Sequence, residues 1–426
     1  MDYSTITNLL KQISLPAMGC TEPAALAYAA ATARSLISAE AKSIKVVVDK
    51  KFHKNCRKVM IAKTALKGLD YAIAFGYLAG KPEYELEIFR DLQDENIKKA
   101  EELVARGLIK VEVSNAAELH IDVTVVTETD KARCLIEKSH SNVALLELNN
   151  KPISGLRKNK KAEYSSNGAF KMLSLSLIID YINNVGIDQL EHLEEGCKMN
   201  YEAAIAGVEH PDHDYFSLAM SRQKKARAVE LADSDLINYA KLLTTAACDV
   251  RLSGKACSFM SLVGSGNLGI TSMVPILAAG KMLQIDRELT LRAVALSQLV
   301  TYYIKQKIGV LSSVCGCAVA GGVGAAAGLV YLMNGSRAMI YDAINNMLGI
   351  VAGMICDGAK KSCAMKVSIA TSAAFESAIL ALKKISIDPG DGFIEADIEQ
   401  TLENFKVLSV EGMKDIEDIL LNIFRR

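Results

Sequence analysis

Apolar and polar positions alternate through the first third of the chain, and beyond it the period becomes helical. Residues 43–49, SIKVVVD, place Ile44, Val46 and Val48 on one face, which predicts a strand. The runs 84–89, 109–113, 120–126 and 142–148 predict further strands. Helical spacing covers residues 64–78 and the charged stretch 94–106, and another helix opens near Pro23 and closes at residues 35–37. From about residue 165 only helical periodicity remains, over 168–183, 191–208, 225–252, 273–282, 289–307, 319–332 and 340–354, with two short amphipathic helices within 394–426. The polar segment 155–168, containing KNKKAEYSSNG, predicts a linker. The expected fold class is therefore α+β. An N-terminal mixed α/β region with a small sheet, residues 1–160, precedes a large, mainly α-helical domain, residues 161–426.

Composition narrows the function classes. The 426 residues carry 49 acidic and 49 basic side chains, so no electrostatic footprint for nucleic acid or anionic lipid exists. The first residues, MDYSTITNLLKQISLP, lack a basic segment followed by an apolar one, and no signal peptide is expected. A cytoplasmic setting follows, in which the ten cysteines stay reduced and serve as core thiols, metal ligands or catalytic groups. Two uncharged stretches, 256–280 and 311–336, are long enough to raise the question of membrane spans. Both are rich in Ala, Gly and Ser and broken by glycine clusters, which predicts buried helices and no membrane partner. A homo-oligomer is compatible with a helical protein of this size, although no coiled-coil seam marks an interface.

Four thiols stand out. Cys315 and Cys317 form a CGC before a glycine-rich helix, and Cys356 and Cys363 flank an Asp357-Gly358 turn. The 38 residues between Cys317 and Cys356 suit two antiparallel helices joined at Asn334-Gly335, which would return the chain to its starting level. Three thiols can thus converge. Structural zinc sites prefer C-x₂₋₄-C spacing, which is absent, whereas an iron–sulfur cluster with three protein ligands leaves one iron open. Lys360, Lys361 and Lys366 are expected to favour thiolates there. Scattered core cysteines are the plainer alternative.

A second group lies at MGCTEP. Thr21, Glu22 and Pro23 are helix-start residues, and Cys20 would sit where the helix dipole favours a thiolate. That cysteine reads as a base or nucleophile, as a displaceable fourth ligand, or simply as a buried thiol. GSGN at 264–267 offers backbone N–H groups to a carboxylate, and SHSN at 139–142 offers polar side chains in a turn. A lone histidine such as His140 is more often structural than catalytic.

Together these stretches resemble the L-cysteine desulfidase family, relatives of the iron–sulfur L-serine dehydratase alpha domain. The resemblance rests on GCTEP (19–23), SHSN (139–142), GSGN with Gly269-Ile270, YIK (303–305), LSSVCGC (311–317), GMICDGAKKSCAMKV (353–367) and EGM (411–413), in order along nearly the whole chain. It implies a [4Fe-4S] cluster, no pyridoxal phosphate, and β-elimination of L-cysteine to sulfide, ammonia and pyruvate, with L-serine or another small amino acid as further substrates. Carried over by position, Cys317, Cys356 and Cys363 would be the cluster ligands, with Cys315 the alternative to Cys317. Cys20 would be the α-proton base or an exchangeable ligand. Thr21, Glu22, Ser139, His140, Asn142, Ser265, Asn267 and Lys305 would hold the substrate.

The chain departs from the family pattern in three places. A glycine-rich KNxMGVGIPGTG segment is replaced by KNCRKVMIAKTALKG (54–68), the histidine after GSGN by Leu268, and the arginine before LS by Val310. The thiols survive, so the departures predict an intact cluster site with altered substrate choice or altered catalytic competence. A non-catalytic iron–sulfur or thiol protein that binds an amino acid or senses redox state is the competing class. Cys56 sits inside the altered segment, and the cysteines at 134, 197, 248 and 257 read as packing residues.

Overall fold

Strands form where β-branched residues alternate, and the core gathers behind them. The structure is a computed structural model that describes residues 2–153, 173–209, 215–217 and 235–425. The chain begins with α1 (Tyr3–Ile13), β1 (Ser14–Met18), α2 (Thr21–Arg34), β2 (Ser43–Asp49), α3 (Lys50–Cys56), α4 (Leu69–Ala79) and α5 (Asp94–Ala105). There follow β3 (Ile109–Ser114), β4 (His120–Val126), β5 (Lys131–Glu137), β6 (Val143–Leu148) and β7 (Lys151–Pro152). The sheet runs in the order β3-β2-β4-β5-β6-β7, with β2 and β3 parallel and the other pairs antiparallel. Its buried face carries Ile44, Val46, Val48, Ile121, Val123, Val125, Ala132, Cys134 and Ile136, the every-second-residue pattern of a one-sided sheet. That face covers α2, whose alanines and Leu26 are buried from Ala24 to Ala33.

The helical part comprises α6 (Leu175–Asn184), α7 (Leu193–Glu209), α8 (Leu236–Leu252), α9 (Gly266–Met282), α10 (Arg287–Ile308), α11 (Ala320–Leu332), α12 (Arg337–Val351), α13 (Cys363–Leu382), α14 (Ile398–Lys406) and α15 (Ile416–Phe424), with β8 (Ser258–Leu262) between α8 and α9. At its centre is α11, AGGVGAAAGLVYL, enclosed by α9, α10, α12 and α13. Its small side chains let these helices approach closely, so it lacks a polar face.

The α+β class and the order of a small sheet followed by a large helical region agree with the sequence, and several local expectations are corrected. Residues 84–89 are not a strand: Pro82 starts a 3₁₀ helix (Pro82–Glu87), and Leu86, Ile88 and Phe89 all turn into the core. The helix expected over 64–78 begins at Leu69, after Gly68, and α3 forms because Asp49 Oδ1 accepts from Phe52 N at 2.9 Å. Beyond residue 165 the chain is not helical alone, since β8 pairs antiparallel with β1. Neither strand alternates cleanly, because both are stitched into the helical core. Helix α13, absent from the expectations, carries too continuous an apolar run to show a stripe. The expected linker 155–168 and the starts of the expected helices at 168–172 and 225–234 lie outside the described residues. The uncharged stretches 256–280 and 311–336 fold largely as buried β8, α9 and α11. Among the described residues, one helix, Cys363–Leu382, is long and apolar enough to cross a membrane by length and composition, and 56% of that window is buried within the fold.

Candidate active site

Two turns of chain bring the thiols together. The α11–α12 hairpin returns the backbone to its start, where Cys315 N donates to Met354 O and Cys356 N donates to Ser313 O, both at 2.7 Å. Val314 and Ile355 form a β-bridge between those bonds. Cys363 then begins α13 across the Asp357-Gly358 turn. Gly358 is required there: φ is +99°, and a Cβ would stand 2.6 Å from Lys54 O. Cys315, Cys317, Cys356 and Cys363 all line one cavity of about 80 Å³, with Cys20 among the lining residues. The Sγ atoms of Cys315 and Cys317 are 3.5 Å apart.

The other residues of the cavity come from separate elements. Cys20 is the N-cap of α2, and its Sγ donates to Glu22 Oε2 at 2.9 Å. Thr21 Oγ1 donates to the same oxygen at 3.2 Å, and Asn55 Nδ2 of α3 donates to Glu22 Oε1 at 3.1 Å. Arg251, near the end of α8, is 3% exposed; its Nη1 donates to Asn267 Oδ1 at 2.9 Å, while its Nε has no partner. His140 is 2% exposed, and neither ring nitrogen has a partner. Gly264 makes room for it: φ is +70°, and a Cβ would fall 2.3 Å from His140 Nδ1. Lys305, near the end of α10, is 4% exposed and reaches Ser312 Oγ at 3.3 Å.

Electrostatics revises two expectations. Burial, reinforced by Glu22, pushes the Cys20 thiol well above its ordinary range, so the helix dipole does not leave a resting thiolate. Burial alone would raise Glu22, but His140, the Cys20 thiol and Arg251 outweigh it and leave the carboxyl below its ordinary value. His140 is pushed down, by burial first, and is neutral near pH 7. Burial also raises Cys356, and it lifts Cys363 to about 12. The flanking lysines do not reverse this: Lys360 and Lys366 both bond to Asp357, with Lys366 at 2.7 Å. Burial brings Lys305 down to about 8, against the pull of Cys356 and Cys317.

Of the residues predicted from sequence, Cys20, Glu22, His140, Ser265, Asn267, Lys305, Cys317, Cys356 and Cys363 meet at this cavity. Thr21, Ser139 and Asn142 do not line it. Thr21 supports Glu22 from behind, and Asn142 closes the turn that carries His140 by donating to Glu137 O at 3.0 Å. Sequence reasoning missed Arg251 and Asn55, which line the cavity together with the expected Lys366, and Glu417, which supports it. Lys54 Nζ donates to Cys356 O at 2.8 Å and to Glu417 Oε1 of α15 at 3.0 Å, and Ser313 Oγ donates to that oxygen at 3.2 Å. No local sequence signal marks Arg251, which follows the mixed stretch TTAACDV. Cys248 packs with Cys20 and Cys363 behind the wall.

Among the described residues, no group of three or more His, Cys, Asp or Glu side chains converges tightly enough to hold a metal ion. A cluster makes a different demand. Its irons take separate thiolates, so the thiols must surround a volume instead of meeting at a point. Cys317, Cys356 and Cys363 all line the cavity, and Arg251, Lys305 and Lys366 offer positive charge to offset thiolates and sulfides. This donor set fits an iron–sulfur cluster.

Residues 83–422 match the family described as serine dehydratase alpha chain. A UPF0597 protein of Caldanaerobacter subterraneus subsp. tengcongensis is 38% identical over 424 residues, covering 99% of this chain and 98% of the relative. A UPF0597 protein of Clostridium tetani is 36% identical over 421 residues (98% and 97% covered), and one of Porphyromonas gingivalis is 35% identical over 434 residues (99% of each). The relatives span both the sheet region and the helical region, the family match begins at residue 83 within the sheet region, and the cavity lies where the two regions meet. The chain belongs to the serine dehydratase alpha chain family.

Proposed function

We propose that the protein is an iron–sulfur-dependent carbon–sulfur lyase that converts L-cysteine to sulfide, ammonia and pyruvate, with L-serine or another small L-amino acid in the same substrate class. The observation that carries this reading is the Cys20–Glu22 pair facing the thiols of Cys317, Cys356 and Cys363 across one buried cavity. Those three thiols would hold a [4Fe-4S] cluster, with Cys315 the alternative to Cys317; pyridoxal phosphate has no part. Bound there, the cluster supplies a Lewis-acidic iron for the leaving group. Ten free thiols suit a reducing cytoplasm.

The chain's own residues bind, orient and move protons. Arg251 and Lys305 supply cations for the substrate carboxylate, and Asn267 fixes the Arg251 guanidinium. Glu22 Oε2 takes the Cys20 proton along the existing hydrogen bond, and Cys20 Sγ then takes the Cα proton. The Cα–H electrons form the Cα=Cβ bond while the Cβ–S electrons leave with sulfur. Water converts the resulting enamine to pyruvate and ammonia.

Leu268 and Val310 both line the cavity, and this favours a second reading, an amino-acid-binding iron–sulfur protein without turnover. One experiment separates them. Protein purified without oxygen and loaded with iron and sulfide is analysed for both elements and assayed for sulfide and pyruvate release from L-cysteine. About four irons per chain with turnover supports the lyase. A cluster that binds L-cysteine without turnover supports the second reading, and a chain that takes up no cluster overturns both.

A further inference from the structure

A second cavity, of about 360 Å³, adjoins the thiol cavity and shares Lys305, Val310 and Leu311 with it. It lies between the sheet region and the end of α10, and its cations are Lys51, Lys138 and Lys305, against the single carboxylate of the exposed Glu118. We propose that this chamber receives a distal carboxylate of the substrate, extending the substrate class from L-cysteine to S-substituted L-cysteines that end in an anion. The inference rests on the lyase reading for its choice of amino-acid ligand.

Three observations support it. Among the described residues, neither Lys51 nor Lys138 is engaged in a salt bridge, whereas Lys42, Lys45, Lys50 and Lys81 of the same region each meet a carboxylate. Lys51 and Lys305 line the same cavity, so two like charges face it and an anion there would offset both. Lys138 has φ +67°, a conformation L-residues seldom adopt, and its N–H donates to Leu119 O at 3.1 Å, which fixes the point from which its side chain reaches out. Val310, a short apolar side chain in the wall common to both cavities, leaves Lys305 as the cation they share.

The test compares S-carboxymethyl-L-cysteine with S-carbamoylmethyl-L-cysteine, which match in shape and differ in charge. Both are titrated calorimetrically into the full chain kept under anaerobic conditions, before iron and sulfide loading, when no turnover occurs, and again after it. The carboxymethyl ligand is expected to bind at least about tenfold more tightly, the order expected of one charge-assisted contact. The Lys51→Ala/Lys138→Ala double variant is expected to lose most of that preference while keeping the thermal midpoint of the parent. Equal binding of the two ligands, or a preference retained by the double variant, overturns the proposal. Failure of the lyase reading is a separate result: no pyruvate and no free thiol (thioglycolate or thioglycolamide) from either ligand after loading, with the binding preference still present.

Discussion

Cys20 Sγ lies 2.9 Å from Glu22 Oε2 and donates its proton to that carboxylate. The two residues sit on the first turn of one helix, so the geometry is set by α2 itself. A general base acting through this pair contributes about 10²–10⁴ in rate. Glu22→Gln keeps the shape and removes the proton acceptor; kcat for L-cysteine is expected to fall by about that factor, with KM changed far less. Cys20→Ala should match it, and the double variant should cost no more than either single change, because the two act as a unit. Additive losses would show that they do not.

Lys54 and Glu417 form a buried ion pair, with side chains 1% and 6% exposed, that ties the C-terminal helix to the Cys356 loop. Glu417→Ala leaves an ammonium buried without its carboxylate, at an expected cost of about 3–5 kcal/mol. Replacing both residues, as Lys54→Met/Glu417→Leu, is expected to cost much less than the single change. Urea unfolding followed by circular dichroism measures both; the chain has no tryptophan to report by fluorescence.

Arg251 binds Asn267 through one nitrogen and leaves Nε unpartnered. For a residue that holds the substrate carboxylate, Arg251→Ala is expected to raise KM for L-cysteine at least about tenfold. Arg251→Lys should not restore it, since an ammonium cannot reproduce the planar fork. Recovery of KM with lysine would mean that charge alone is needed.

His53 and His192 are both pushed below their ordinary value, in each case by burial first. As pH falls through about 6.5 the unfolded chain takes up protons that the folded chain refuses, so stability drops on acidification. The loss begins near the unfolded value and ends below the folded ones. His53→Gln/His192→Gln is expected to flatten the stability profile between about pH 6.5 and 5, read from urea midpoints across that range.

Much of this site was legible before any coordinates. Local rules identified GCTEP as a helix start because capping depends on neighbouring residues, and Cys20 is indeed the N-cap of α2. The return of Cys356 to the CGC segment followed from helix length and a turn at Asn334-Gly335, and the Val314–Ile355 bridge is that return. By contrast, β1 and β8 pair across more than two hundred residues, which no local period can announce. Residues 84–89 misled for the same reason: their apolar positions suit either a strand or a 3₁₀ turn, and packing of Leu86 and Phe89 into the core decides between them.

The sequence alone determined the α+β class, the candidate thiols and the helix that presents Cys20, because periodicity and capping act over a few residues. Tertiary structure alone decided the charge state and company of those groups. It put Glu22 against Cys20 with Asn55 behind it, brought Arg251 from α8 and Lys54 from α3, and desolvated Cys20, Cys356 and Cys363 enough to keep them protonated. Desolvation depends on everything packed around an atom, and that sum exists only once distant segments have met.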